Sequence, residues 1–215
     1  AHIVNKLTKT SSVLDQVNHY DVNRYNTPYI FVWLDHELDK DVVNSIDKTR
    51  ILLLGKYNTL KKILIVIKFI KKNKVLLLHC HHTKSGFWSR FIARICGIKN
   101  IYEDGGGHPS YTLKSRVLLN LNIILVDKVV CVSEFVYDSY NSLEKLLVPF
   151  KKVCFINYGA DRAKIKSLQP KTLTRNYFNI DKDSFLFIHT GRFVEVKNQR
   201  FLFEIINNLI LNDFK

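Results

Sequence analysis

The feature that most constrains this sequence is an alternation repeated along it: short apolar runs rich in branched and aromatic residues, separated by stretches with helical spacing. His2–Lys6, Tyr29–Leu34, Arg50–Leu54, Val75–His79, Asn100–Tyr102, Lys152–Ile156 and Phe185–Thr190 read as strands. Lys56–Lys72, the run from Ser85 to the helix stop at Gly97, and Tyr111–Val126 read as helices. Strands that alternate with helices predict an α/β fold with a parallel sheet. In such a sheet ligands bind beyond the carboxyl ends of the strands, where following helices present unpaired N–H groups. The strand-end loops are therefore the segments in which to look for chemistry.

Periodicity also predicts which faces are buried. In Lys56–Lys72 the inward residues are Leu60, Ile63, Leu64, Ile67 and Ile70, leaving Lys61, Lys68 and Lys72 as an exposed stripe. Such a stripe can hold a protein to anionic lipid, and is equally the solvated side of a surface helix. In the next helix Phe87, Trp88, Phe91, Ile92 and Ile95 point inward, with Arg90 and Arg94 outward. Ser133 is placed to cap a helix whose inward residues are Val136, Tyr140, Leu143 and Leu147.

The chain has 215 residues, 47% of them apolar, enough for one core and the beginning of another. Lys and Arg total 33 against 19 Asp and Glu, so the field is positive and favours anionic partners. Nucleotide-sugars, lipid headgroups and nucleic acid all qualify on charge. The aromatic residues follow buried periodicities rather than interleaving with basic ones, which argues against nucleic acid. Cys80, Cys96, Cys131 and Cys154 lie far apart within apolar patterns and read as small hydrophobes in a reducing compartment. No segment reaches the ~18 apolar residues of a membrane span, and no signal sequence opens the chain. The expected location is cytoplasmic or peripheral to a membrane. A chain that begins at Ala1 and lacks methionine is expected to be a fragment.

Four loops hold the candidate functional residues. After the first strand, Lys9 and Ser11 offer donors, but Thr10, Ser11 and Ser12 stand where a glycine-rich phosphate loop would sit. The run His79-Cys80-His81-His82 invites a metal reading, yet adjacent strand residues face opposite ways and converge on no ion without partners elsewhere, so no metal is expected. Glu103–Pro109 contains Gly105, Gly106 and Gly107, a loop that lets a ligand approach the backbone. Finally, Gly191 and Arg192 end the strand Phe185–Thr190, and a helix with Leu202, Ile205, Ile206, Leu209 and Ile210 on one face follows. Arg192 and Lys197 flank that helix start, where a phosphate or diphosphate could bind.

Several phrases then resemble one family in order. Gly191–Asn198, G-R-F-V-x-x-K-N, resembles the start of the donor-binding domain in glycosyltransferase family 4, retaining transferases of GT-B architecture that use nucleotide-diphosphate sugars. His79–Gly86 resembles the family's H-x-H-x-x-K-x-G, Asp127–Glu134 its D-x-[IV]-[IV]-x-[VC]-S-E strand, and Ile156–Asp161 its hinge phrase. The family commonly has a histidine-glycine pair after the strand ending at Tyr102; here that histidine position is Gly105, and His108 comes three positions late. Either His108 returns to the site, or Glu103 or Asp104 serves, or the role is missing.

The resemblance implies a Rossmann-like acceptor domain over residues 1–165, a connection over 166–183, and the first strand and helix of a truncated donor domain over 184–215. It implies a retaining sugar transfer from a nucleotide-sugar donor to a glycan or lipid-linked acceptor in surface polysaccharide or lipopolysaccharide synthesis, with no cofactor or metal. Arg192 and Lys197 would hold the donor diphosphate, His108 would be catalytic, and His79, His81, Lys84, Gly105 and Gly106 would line the acceptor side. Localisation would be cytoplasmic, with peripheral binding to the anionic inner membrane face. The family's pair of donor-contacting glutamates would lie beyond Lys215, so this piece alone is expected to be inactive. The alternatives are a non-catalytic binder of glycan or anionic lipid and a nucleic-acid-binding module.

Overall fold

A computed structural model describes residues 1–8, 11–21, 28–35, 37–38, 40–106, 111–159, 175–191 and 193–212. It divides into two compact units, Ala1–Tyr158 and Gly159–Lys215. The first unit is built on seven parallel strands: β1 (His2–Val4), β2 (Ile30–Val32), β3 (Ile51–Leu53), β4 (Leu77–Cys80), β5 (Lys99–Asp104), β6 (Lys128–Cys131) and β7 (Val153–Phe155). Their spatial order is β3-β2-β1-β4-β5-β6-β7. Six of them fall within or across a run that reads as a strand in the sequence, and β6 lies in the phrase Asp127–Glu134.

Successive residues of the central strands face opposite layers, and both layers are apolar. Ile3, Phe31, Leu78, Cys80 and Tyr102 pack on one side with Val66 and Ile70 of α3 (Thr59–Lys72) and Ile92 and Ala93 of α4 (Thr83–Cys96). Val4, Ile30 and Val32 pack on the other with Val13, Leu14 and Val17 of α1 (Ser12–Asn18) and Val42 of α2 (Lys40–Ser45). A sheet buried on both faces must be near-continuously apolar, as these strands are.

The helix faces depart from the periodicity. In α3, Leu60 and Leu64 are exposed, while Lys62 is buried with Val66 and Ile70. The Lys62 ammonium donates to the Trp33 carbonyl at 2.6 Å and lies over the Trp33 ring. A long methylene stem and one buried carbonyl let a lysine occupy the core side. In α4, Phe91 and Ile95 are exposed and Arg90 is fully buried. Ser85, Gly86, Ser89 and Ala93 let that helix approach the sheet closely, which turns the larger apolar residues outward. The Arg90 guanidinium lies over the Tyr102 ring and donates from Nη1 to the Leu119 carbonyl and to Asn122 Oδ1. Gly97 ends α4 in the left-handed conformation, as predicted.

Beyond α4 the helices are shorter than predicted. Thr112 caps α5 (Leu113–Asn120), and a 3-10 turn at Ile123–Leu125 takes up the rest of the predicted helix. Ser133 occupies the cap position of α6 (Glu134–Asp138) without a side-chain cap bond, and α7 (Ser142–Leu147) starts separately with Asn141 and Glu144 in a capping box. Cys80 and Cys131 are buried, but Cys154 is exposed; all four cysteines are free thiols.

In the second unit α8 (Gln199–Leu211) forms where a helix is predicted. Phe185–Thr190 is not a strand, and its residues are exposed. A strand needs a neighbour to share its backbone hydrogen bonds, and none is formed among the described residues of this unit. Among the described residues no helix is long and apolar enough to cross a membrane.

The turn after β3 passes against the turn after β2 so closely that a Cβ on Gly55 would sit 2.2 Å from Asp35 Cα. Gly55→Ala is therefore expected to cost about 1–3 kcal/mol, as overpacking against backbone does. Urea denaturation of the full chain measures this, and an unchanged midpoint would contradict it.

Candidate functional site

The chain winds outward from β1 to β3 on one side and from β4 to β7 on the other, so strand order reverses between β1 and β4. At such a reversal the connecting helices diverge and leave a crevice beyond the strands' carboxyl ends. A cavity of about 370 Å³ lies there. Thr8, Ser11 and Ser12 contribute from the segment after β1, His81 and His82 from the turn after β4, and Glu103, Gly105 and Gly106 from the end of β5. Val13, Tyr111 and Tyr158 complete the lining.

Asn5 ties two of these segments together. Its Oδ1 accepts from the Ser85 amide at 3.0 Å, and its own amide donates to His82 Nδ1 at 3.2 Å. The turn that carries His81 and His82 is thereby fixed against the end of β1.

Glu103 is the charged centre of the cavity, with only 5% of the residue exposed. Gln16 Nε2, from α1, donates to Oε2 at 2.9 Å, and the Tyr158 hydroxyl donates to Oε1 at 2.9 Å. His79 Nε2 and His81 Nδ1 lie 3.2 and 3.3 Å from Oε2, though neither contact has hydrogen-bond geometry. Burial works to raise the Glu103 pKa, but the two imidazoles and the Gln16 amide outweigh it and hold the carboxyl well below the usual carboxylate range. Burial lowers the His81 pKa, with partial opposition from Glu103, which favours its neutral form. The result is an ionised carboxylate beside the neutral ring of His81.

The neighbouring Asp104 faces the opposite way. It accepts from the Tyr111 hydroxyl at 2.7 Å and the Tyr140 hydroxyl at 2.8 Å, and from the Gly106 amide at 3.2 Å. Burial and the adjacent carboxylate raise both phenol pKa values. Asp104 thus anchors the glycine loop, whereas Glu103 faces the cavity.

His81, Gly105 and Gly106 line the cavity, and His79 stands behind it against Glu103. Lys84, near the start of α4, is exposed and is not among the lining residues. In the second unit Lys197 is exposed and ends a short 3-10 turn, Glu195–Lys197; its carbonyl lies 3.2 Å from His189 Nε2. His108 and Arg192, like Lys9, fall outside the described residues. Tyr158, which lines the cavity, and Gln16, which reaches Glu103 from α1, are residues that sequence reasoning missed. Tyr158 does lie within the phrase Ile156–Asp161, which was read there only as a hinge; Gln16 has no signal beyond its place in a helix.

The glycine at 105 has a physical reason. A Cβ there would lie 2.6 Å from the Tyr158 hydroxyl oxygen. Gly105→Ala is expected to destabilise by about 1–2 kcal/mol through displacement of that hydroxyl from Glu103. In a Tyr158→Phe background the same substitution is expected to cost less than half as much. A double-mutant cycle by urea denaturation checks this, and additive effects would refute the steric link.

No family profile matches the sequence. A UDP-Gal:alpha-D-GlcNAc-diphosphoundecaprenol alpha-1,3-galactosyltransferase of Escherichia coli is 23% identical over 160 residues, covering 72% of this chain and 41% of that protein. Among solved structures, Anabaena Alr3699/HepE in complex with UDP and glucose aligns with a TM-score of 0.59 at 12% identity, over 82% of this chain and 49% of that one. UDP-N-acetylglucosamine 2-epimerase from Rickettsia bellii aligns with a TM-score of 0.54 at 13% identity, over 84% of this chain and 50% of that one. The chain thus spans half or less of the length of each of these proteins. Seven parallel strands in this order, with these structural neighbours, make the fold α/β and Rossmann-like, of the GT-B type.

Proposed function

We propose that this chain is part of a retaining glycosyltransferase of family 4, its first unit binding the acceptor and its second beginning the donor side. The transferred sugar would come from a nucleotide-diphosphate donor and pass to a glycan or lipid-linked acceptor in surface-glycan synthesis. The observation that supports this most directly is the cavity at the β1/β4 reversal, lined by the hydroxyl side chains of Thr8, Ser11 and Ser12 and by an ionised Glu103. Sugar hydroxyls both donate and accept hydrogen bonds, and such a lining meets both needs. The likeness to the E. coli galactosyltransferase supports the same class of reaction.

Glu103 has a defined part in this reading. A carboxylate held ionised accepts a hydrogen bond but cannot donate one, and a group so weakly basic is a poor proton acceptor. It would orient the acceptor hydroxyl rather than deprotonate it. His108 keeps its proposed place near the reacting sugar on the resemblance alone. Arg192 and Lys197 would neutralise charge as the diphosphate leaves, since fixed cations act most strongly where charge develops. The exposed Lys61, Lys68 and Lys72 of α3 support docking at an anionic membrane face.

The test pairs UDP- and GDP-sugars with a GlcNAc-diphosphate-lipid acceptor, measuring binding to this chain and transfer by a longer one. Glu103→Gln is expected to weaken acceptor binding about tenfold, equivalent to about 1.4 kcal/mol, with donor binding retained. Arg192→Ala is expected to do the reverse. Absence of binding to any donor or acceptor, or equal effects of both variants on both ligands, would overturn the assignment. Binding without transfer in the longer chain would instead identify a non-catalytic binder.

A further inference from the structure

Behind the cavity, three imidazoles gather on one face of the sheet. His2 begins β1 and pairs directly with His79 of β4, and His81 lies two residues further along, on the same side. Alternation along a strand thus brings His79 and His81 together, and the neighbouring strand supplies the third ring. Ring centroids are 4.2 Å apart for His79 and His81, and 5.1 and 5.2 Å from His2 to each. One ring nitrogen from each of the three lies within 4.8 Å of the others.

As hydrogen-bonding groups these rings are incompletely matched. His2 Nδ1 and His81 Nε2 share one contact at 2.9 Å. His79 Nε2 and His81 Nδ1 are buried without a hydrogen-bond partner, although only 18% and 4% of those side chains is exposed. Each faces Glu103 Oε2, at 3.2 and 3.3 Å and outside hydrogen-bond geometry, and buried ring nitrogens so weakly matched cost free energy.

We propose that His2, His79 and His81 form a binding site for a first-row divalent cation such as Zn²⁺, with Glu103 completing or supporting it. Imidazole nitrogens bind such an ion at about 2.0–2.1 Å, which places tetrahedral neighbours roughly 3.3 Å apart. His2 and His81 are already near that separation, and ring rotation would bring His79 in. Glu103 Oε2 lies close enough to His79 and His81 to serve as fourth ligand or to accept the outer N–H of His81, the usual arrangement behind a metal-bound histidine. An imidazole-rich set selects zinc, cobalt, nickel or copper over Mg²⁺ and Ca²⁺, which prefer oxygen. The ion would tie β1, β4 and the end of β5 together beneath the cavity. The site shares Glu103 with the sugar-transfer proposal, but its readout is ion binding and not turnover.

The experiment uses the tag-free 215-residue chain, freed of metal by chelation, titrated with Zn²⁺ calorimetrically and with Co²⁺ by visible absorption. One ion per chain is expected, with intense four- or five-coordinate Co²⁺ bands and a Tm raised by saturating Zn²⁺. His2→Asn and His81→Asn are expected to abolish binding. Glu103→Gln is expected to weaken it roughly 10–100-fold, and His189→Asn, in the other unit, to leave it unchanged. Should the histidine variants fail to fold by near-UV circular dichroism, the wild-type Co²⁺ spectrum decides alone. Weak octahedral bands, no uptake at submillimolar Zn²⁺, or uptake that survives both folded histidine variants would overturn the site.

Discussion

The first unit depends on the backbone ladder between β1 and β4. His2 pairs with His79 and Ile3 with Cys80, and on either side of that seam the remaining strands are added in opposite directions. Parallel strands cannot be joined by tight turns, so each connection must cross a face of the sheet, and helices cover both faces. At the seam those helices part. The crevice is thus a consequence of strand order, and Asn5 holds the two segments that border it in place by side-chain and backbone hydrogen bonds.

Much of this architecture was legible in the sequence, because strand runs buried on both faces are mostly apolar. Ile3, Phe31 and Leu78 needed no helical context to be recognised as core. Helix faces were harder to read. Periodicity assigns a lysine or arginine to solvent by default, yet Lys62 reaches a backbone carbonyl and Arg90 an aromatic face and two oxygens, so both lie inside. The misreading of Phe185–Thr190 has another origin. Its composition is that of a strand, but composition cannot supply the neighbouring backbone that a strand requires.

The site was legible to the extent that it is local. Loops after β4 and β5 were singled out from glycine and histidine content, and Glu103 stood among the alternatives for the role left open by Gly105. What completes the site comes from remote positions. Gln16, Tyr158 and His2 reach Glu103 or its histidine partners only because the sheet order brings the amino-terminal strand, its helix and the end of the unit to one place. Single-strand reasoning likewise set aside the histidine run, because adjacent residues diverge; the convergence observed uses alternate residues and a second strand.

The buried Arg90 has a consequence for how this half of the unit loses structure. Its guanidinium links α4 to the β5 ring of Tyr102 and to the Leu119 carbonyl and Asn122 beyond. If the segment carrying Leu119 and Asn122 frays, a cation is stranded in an apolar interior, a far greater penalty than the loss of a few apolar contacts. Piecemeal opening is thereby discouraged, and helix, strand and following helix should exchange their amide hydrogens as a single cooperative block.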